Sequence, residues 1–418
     1  MLAWKTVIIN LVMLVLVACV NQEPENNEDL LDGIEISCGT QLEKNESLWR
    51  VLTRRYLWND ALDQTTNLSD FDSLSALIND VKQKNPQDRY SSVQLPNAGS
   101  LSDAIENGTM TDNGLILTFS HDRQAVIAKF VWPKSSANEL GIKRGNKIIS
   151  ISGVSIADLL VAESEPQNTI IDLLYASKEV AIRWQDHNDE EYQGVLTRRR
   201  FELETVFHSE VINTELGKVG YLVFSMFLPK SVAELNAVFE QFVDDEVEHL
   251  IIDLRVNGGG CCLDGQIESQ IAGDYVIGKL AGRIFFNDNL SDGNSENYFA
   301  LNNSIPAFNM DSVTFLTSKD TASASEGLIS ALSPYIDVKM VGDNTYGKTA
   351  GQGIYQICGE TVYITEVTAE NANGERIPSE GLSPTCYVED NVKPLWGDPS
   401  DSVLAEALYL YQNGHCSN

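Results

Sequence analysis

A chain of 418 residues has room for two or three domains, and its 60 Asp and Glu against 29 Lys and Arg leave a formal charge of −31. That balance argues against nucleic acid as a partner, because neutralising phosphates takes clustered Lys and Arg. It favours solubility and says nothing of the fold, and the chain carries neither a low-complexity block nor an internal repeat.

The first stretch, MLAWKTVIINLVMLVLVACV, has one Lys, an apolar run from Thr6 to Ala18, and a small residue before Cys19. The run is too short to span a bilayer and has the length of a signal-peptide core. Leu16-Val17-Ala18-Cys19 resembles a bacterial lipobox, which implies removal of residues 1–18, lipid on Cys19, a membrane contact through that anchor, and a location in the cell envelope. The alternative is an ordinary signal peptide with a chance Cys. Residues 19–40 are polar and acidic, as a solvated tether should be. Export implies an oxidising compartment, where Cys38, Cys261, Cys262, Cys358, Cys386 and Cys416 make an even set. Cys358 and Cys386 both fall in the last β-rich section and are expected to pair. No Cys or His spacing suggests a metal site.

Residues 41–98 read as a helical N-terminal region. Leu74, Leu77, Ile78 and Val81 recur at helical spacing, and Leu48, Val51 and Leu52 do so one element earlier. Residues 99–197 are β-rich: NGLILTF and QAVIAKFVW read as strands, followed by a short helix, a glycine-punctuated turn and an alternating strand. Leu140-Gly141, Gly145, Ile148 and Ile151 resemble the corresponding segment of PDZ domains, with Asn146 and Ser152 departing from the usual Asp and Asn. The resemblance implies that Gly114, Leu115 and Ile116 form a carboxylate-binding loop for a peptide's free C-terminus. The alternative is a β-rich spacer without a ligand.

Residues 198–418 alternate strands with helices, which implies crossover connections and a mostly parallel sheet covered on both faces. VGYLVFSMF is a strand, and SVAELNAVFEQFV is a helix expected to open on a capping box of Ser231 and Glu234. HLIIDLRVNGGG is a buried strand running into glycines, and SVTFLTSKDTASASEGLISAL is strand, turn and helix. The fold class is therefore α/β: a helical cap, a PDZ-like β-rich domain and an α/β core.

Three loops carry residues suited to chemistry. Ser323 and Ser325 sit where a strand becomes a helix, positions that N-caps also occupy. The glycines of residues 257–260 let backbone N–H groups approach a ligand closely. Gly342, Gly347, Lys348 and Thr349 satisfy the P-loop pattern in full. A P-loop needs a helix from its Lys-Thr end, yet Gly351, Gly353 and Gly359 lie among Ile, Tyr, Val and Thr there, a strand composition. Nucleotide binding thus stands as the weaker reading of Lys348.

TASASE, DLRVNGGG, GDNTYGKTAGQ and GERIPSEGLSPT together resemble the carboxyl-terminal processing, tail-specific serine–lysine peptidases, over residues 100–390. The resemblance implies Ser323 as nucleophile, Lys348 as general base, Gln352 as its orienting partner, and an oxyanion hole from the N–H groups of Ala324 and a turn glycine, most plainly Gly259. It also implies protein or peptide substrates recognised by their C-termini, and neither metal nor cofactor. Thr321, Gly258, Gly327 and Thr349 depart from the family pattern without touching a catalytic atom, although Gly327 is expected to loosen the nucleophile helix. A catalytically silent binding protein on the same fold is the alternative.

Overall fold

Helix α1 (Gln41–Arg55) opens on a capping box of Thr40 and Glu43 and buries Leu48, Val51 and Leu52 along one face. Helix α2 (Leu74–Lys84) starts at Ser73, whose hydroxyl accepts from Ala76 N–H at 3.2 Å, and buries the four apolar residues that set its period. In this computed structural model, which describes residues 33–94, 101–261, 265–300, 307–392 and 395–417, neither helix stands alone. Both pack on Tyr355, Ile357, Val362 and Ile364 of a hairpin formed by β17 (Ala350–Ile357) and β18 (Glu360–Asn371). Strand β1 (Ser92–Val93) adds to β18, and β13 (Leu280–Phe285) and β14 (Ser295–Tyr298) continue that sheet in the order β1-β18-β13-β14. Cys19 and the predicted signal segment lie outside the described residues.

The second sheet runs β3-β4-β5-β7-β8, from β3 (Leu115–Phe119), β4 (Val126–Val131), β5 (Lys147–Ile151), β7 (Glu179–Gln185) and β8 (Glu191–Thr197). Strand β6 (Val154–Ser155) pairs with β5. Leu117, Val126, Ile148 and Ile151 meet Ile170 and Leu174 of helix α3 (Pro166–Tyr175) in one apolar cluster. A separate ribbon joins β2 (Thr109–Asp112) to β9 (Arg199–Glu202), so the chain leaves this region beside the place it entered.

The third sheet has the order β10-β11-β12-β15-β16-β19, from β10 (Val206–Thr214), β11 (Gly217–Phe224), β12 (His249–Asp253), β15 (Ser312–Thr317), β16 (Asp337–Gly342) and β19 (Cys386–Tyr387). All neighbours except β10 and β11 are parallel. Helices α4 (Ser231–Asp244) and α5 (Ala324–Leu332) cover one face through Leu235, Phe239, Phe242, Leu328 and Leu332. Helix α6 (Ser402–Asn413) covers the other through Val403, Leu404, Ala407 and Leu410. The α/β class and the doubly covered parallel sheet expected from the alternation of elements are both present.

Two local expectations are overturned. Ser231 does not cap α4: its hydroxyl donates to Met226 C=O at 3.1 Å, and Glu234 accepts from Thr205 and Val206 N–H instead. The carboxylate found unpaired donors at the start of β10, which the local pattern does not reveal. Nor do Cys358 and Cys386 pair, because the hairpin turn holding Cys358 and strand β19 belong to different sheets. Cys358 is bonded to Cys38 and Cys386 to Cys416, each with Cα atoms under 6 Å apart, at 5.4 and 5.6 Å. The first bridge fastens the N-terminal segment to the β17–β18 turn across 320 residues of chain.

Replacing Cys38 and Cys358 together by Ser is expected to lower unfolding stability by about 2–5 kcal/mol, the usual loss when a native bridge is removed. Urea melts of the two proteins check this, and an unchanged midpoint would show that the bridge constrains nothing.

Candidate active site

Strands β12, β15 and β16 are successive parallel neighbours, so the loops leaving their carboxyl ends lie side by side. These loops carry Gly259, Ser323 and Lys348 respectively. The adjacency follows from sheet order alone.

Ser323 directly precedes α5, with φ +62° and ψ −121°, backbone that a non-glycine residue adopts only at a cost of about 1–3 kcal/mol. Neighbours hold it there. Ala322 N–H and the Ser325 hydroxyl both donate to Asn257 C=O, at 3.2 and 3.0 Å, and Ser323 N–H donates to Glu326 Oε2 at 2.9 Å. The Ser323 hydroxyl is buried and has no hydrogen-bond partner among the described residues. An unpartnered hydroxyl at a strained strand-to-helix junction is poised for a ligand or for proton transfer.

The glycine turn fits against this residue. A Cβ on Gly259, where φ is +102°, would lie 2.6 Å from Ser323 Cβ, so no larger residue is tolerated. The Gly259 N–H donates to Asn257 Oδ1 at 2.9 Å, so an oxyanion there would have to share it. The Ala324 N–H, first in α5, has no partner among the described residues and is the open donor beside Ser323.

Lys348 is fully buried, with Nζ donating to Gln352 Oε1 at 2.8 Å. Burial drives its pKa well below the ordinary lysine value, and Glu326 opposes this more weakly. Gln352 is fixed in turn by donating through Nε2 to Tyr90 C=O at 2.7 Å, which turns its oxygen toward the amine. Ser323, Lys348 and Gln352 are thus arranged around two further residues, Glu326 and Tyr90.

Glu326 lies in the first turn of α5. Its Oε2 also accepts from Lys348 N–H at 2.9 Å, and its Oε1 from Gly347 N–H at 2.7 Å and the Thr345 hydroxyl at 2.5 Å. Because one oxygen receives the N–H groups of both Ser323 and Lys348, those two nitrogens are no further apart than twice 2.9 Å. Tyr90 comes from the N-terminal region. Its hydroxyl donates to Gly347 C=O at 2.9 Å and accepts from Thr349 N–H at 3.1 Å, and its ring centre lies 5.8 Å from Lys348 Nζ. The neighbouring Arg89 donates to Gly347 and Ser379 C=O and lies over the rings of Tyr90 and Tyr346. The acid three residues into α5 was the only signal available for Glu326; nothing local marked Tyr90.

The P-loop pattern fails on geometry. Strand β17, not a helix, follows Thr349, and the N–H groups of Gly347 and Lys348 are given to Glu326.

Residues 218–388 match peptidase family S41. The match runs from β11 to β19 and takes in all three loops. Among curated relatives, the carboxy-terminal processing protease CtpB of Bacillus subtilis is 27% identical over 286 residues, covering 67% of this chain and 55% of that protein. The carboxyl-terminal-processing protease of Synechocystis is 24% identical over 387 residues, covering 88% and 82%. The chain therefore spans about half the length of the Bacillus relative. The crystal structure of a putative S41 protease from Bacteroides fragilis superposes with a TM-score of 0.69 at 18% identity, over 90% of this chain and 98% of that one. That structural likeness bears on the fold, whereas the family match and the named relatives support a serine-type peptidase, a hydrolase.

Two substitutions separate the supports from the bystanders. Glu326→Gln places an NH2 group against two N–H donors and is expected to lower stability by about 1–3 kcal/mol per donor left unpaired, read by urea unfolding. Tyr90→Phe deletes three hydrogen bonds to the Lys348 loop and is expected to lower kcat about tenfold with little change in KM. A Tyr90→Phe protein with kcat unaltered would remove this residue from the machinery.

Proposed function

We propose that this protein is a lipid-anchored serine endopeptidase of the cell envelope that cuts extended polypeptide by acyl transfer from Ser323, with Lys348 as general base. The observation that carries the reading is the buried Lys348 amine, bonded to an uncharged amide and tied through Glu326 to the residue bearing an unpartnered hydroxyl.

An amine accepts a proton only when neutral, and burial favours that form. Neutral Lys348 takes the Ser323 proton as Oγ adds to the substrate carbonyl carbon. The oxyanion so formed is stabilised by Ala324 N–H and a donor from the glycine turn, with Gly259 contributing only by sharing its bond to Asn257. The Lys348 ammonium returns the proton to the departing amine, leaving an acyl ester on Ser323. Water, deprotonated by the same amine, adds to the ester and frees the acid and the serine. Gln352 supports the cycle by accepting from Nζ without a charge that would favour the ammonium. The PDZ-like region of residues 99–197 presents substrate to this centre, and the envelope location follows from the lipobox-like residues before Cys19.

Ser323→Ala and Lys348→Ala are each expected to abolish cleavage of an unfolded protein, followed by mass spectrometry of the products. In the wild type, activity rises with pH as the amine loses its proton, and the midpoint falls below the free lysine value of about 10.4. Lys348→Arg should be inactive throughout, since guanidinium stays protonated. Equal turnover by wild type and Ser323→Ala would sink the serine mechanism. For the anchor, the mature N-terminus is expected to be Cys19 bearing diacylglycerol; an unmodified N-terminus beyond Cys19 would refute it.

A further inference from the structure

The loop expected to receive a peptide's C-terminal carboxylate is already supplied with acceptors by the chain itself. Gly114 N–H donates to Asp112 Oδ1 at 2.8 Å, and Leu115 N–H donates to Asn113 Oδ1 at 2.9 Å. The other oxygen of Asp112 accepts from the Tyr175 hydroxyl at 2.9 Å, which ties the loop to the last residue of α3. Asp112 and Asn113 are both buried, and Gly114 has no room to reorganise around a larger residue, since a Cβ there would fall 2.0 Å from Ser135 Cβ. A carboxylate arriving here would find two of its three expected donors taken. It would also lie against a second carboxyl group, whose charge repels it whenever Asp112 is ionised.

The same loop keeps one unmet need of the opposite kind. Asn113 Nδ2 is buried and has no hydrogen-bond partner among the described residues, a donor that an amide carbonyl satisfies as well as a carboxylate. Beyond it, β3 ends its sheet and pairs only with β4 among the described residues, leaving an edge onto which an extended segment can add. Backbone pairing of this kind requires no chain end.

From these contacts we infer that Asp112 makes the PDZ-like region indifferent to a free C-terminus, so that it takes internal, extended polypeptide segments through the β3 edge. Asp112 acts as a specificity-determining residue by standing in for the carboxylate that the loop would otherwise demand. The inference rests on reading residues 99–197 as a substrate-presenting module, and it is tested by binding, which does not need the peptidase chemistry.

The measurement uses the full chain with Ser323→Ala, so that nothing is cut, and a fluorescein-labelled unfolded peptide ending in Val-Ala-Ala, prepared once as the free acid and once as the amide. Fluorescence anisotropy is expected to give the two forms the same Kd within about threefold, less than a single charge-assisted hydrogen bond supplies. Adding Asp112→Ala frees the Gly114 N–H and removes the competing carboxyl group, and should make the free acid bind about tenfold or more tighter than the amide. Tyr175→Phe, which loosens the same carboxyl group while keeping the ring, should shift the ratio in the same direction. A parent protein that already prefers the free acid tenfold overturns the inference, as does failure of both forms to bind. Loss of cleavage in wild type with binding intact would instead count against the peptidase reading alone.

Discussion

The arrangement of the site depends on one carboxylate that has no part in bond making. Glu326 is buried, and its two oxygens take four donors: the N–H groups of Ser323, Gly347 and Lys348 and the Thr345 hydroxyl. A buried carboxylate is costly unless its hydrogen bonds are met, and each loss inside such a network is felt by the rest. Full satisfaction is possible here only when the start of α5 and the loop after β16 are in register. Glu326 also illustrates how a carboxylate can sit near a buried amine without holding it in the ammonium form. It grips Lys348 by the backbone N–H, while Nζ is turned to neutral Gln352, and burial outweighs the opposing pull of Glu326 on the amine's pKa.

The regions outside the parallel sheet complete this register. Tyr90 and Arg89 reach the Lys348 loop from the end of the helical region, and the α1 and α2 faces packed on β17 and β18 fix where those residues stand. From the other side, Lys129 of β4 pairs with Asp320, three residues before Ser323, and the Ser318 hydroxyl donates to Arg255 C=O at 2.6 Å. Arg255 is itself wholly buried, bonded to Asp253 and Asp401, while Arg144 reaches Asp390 at 2.7 Å. Removing one member of such a buried set strands a charge, so the second sheet and the three loops of the candidate site are held to one relative position. The candidate site is thus a composite of all three regions, although Gly259, Ser323 and Lys348 all lie on loops of the parallel sheet.

How much of this was legible in the sequence depends on the range over which each feature acts. Ser323, Lys348, Gln352 and the glycine turn were picked out because the short runs that hold them resemble the motifs of the serine–lysine peptidases; composition alone left Ser323 readable as an N-cap and Lys348 as part of a P-loop pattern. Helices α1 and α2 were legible because period and buried face coincide at Leu74, Leu77, Ile78 and Val81. Pairings set by the packing of distant segments were not. Cys358 and Cys386 are near in sequence but sit in different sheets, and Glu234, read as a capping residue, serves β10 instead. Tyr90 acts on Gln352 through its carbonyl oxygen, a group every residue possesses, so its type could not reveal that role.

The P-loop pattern in residues 342–349 has a physical explanation that does not involve phosphate. A Cβ on Gly342 would fall 2.2 Å from Thr317 C=O, and one on Gly347 would fall 2.4 Å from Ser379 C=O, so close backbone approach demands both glycines. Lys348 is demanded separately by the buried amine. The N–H groups that such a turn exposes do gather around an anion, but the anion is Glu326. The loop before β3 repeats the theme, with Asp112 receiving the N–H of a glycine at φ +82°. In both places glycine-shaped backbone presents donors as an anion site would, and in both an internal carboxyl group fills it. A pattern of glycines therefore identifies where backbone donors converge, and only the neighbouring acids decide whether a ligand is needed to meet them.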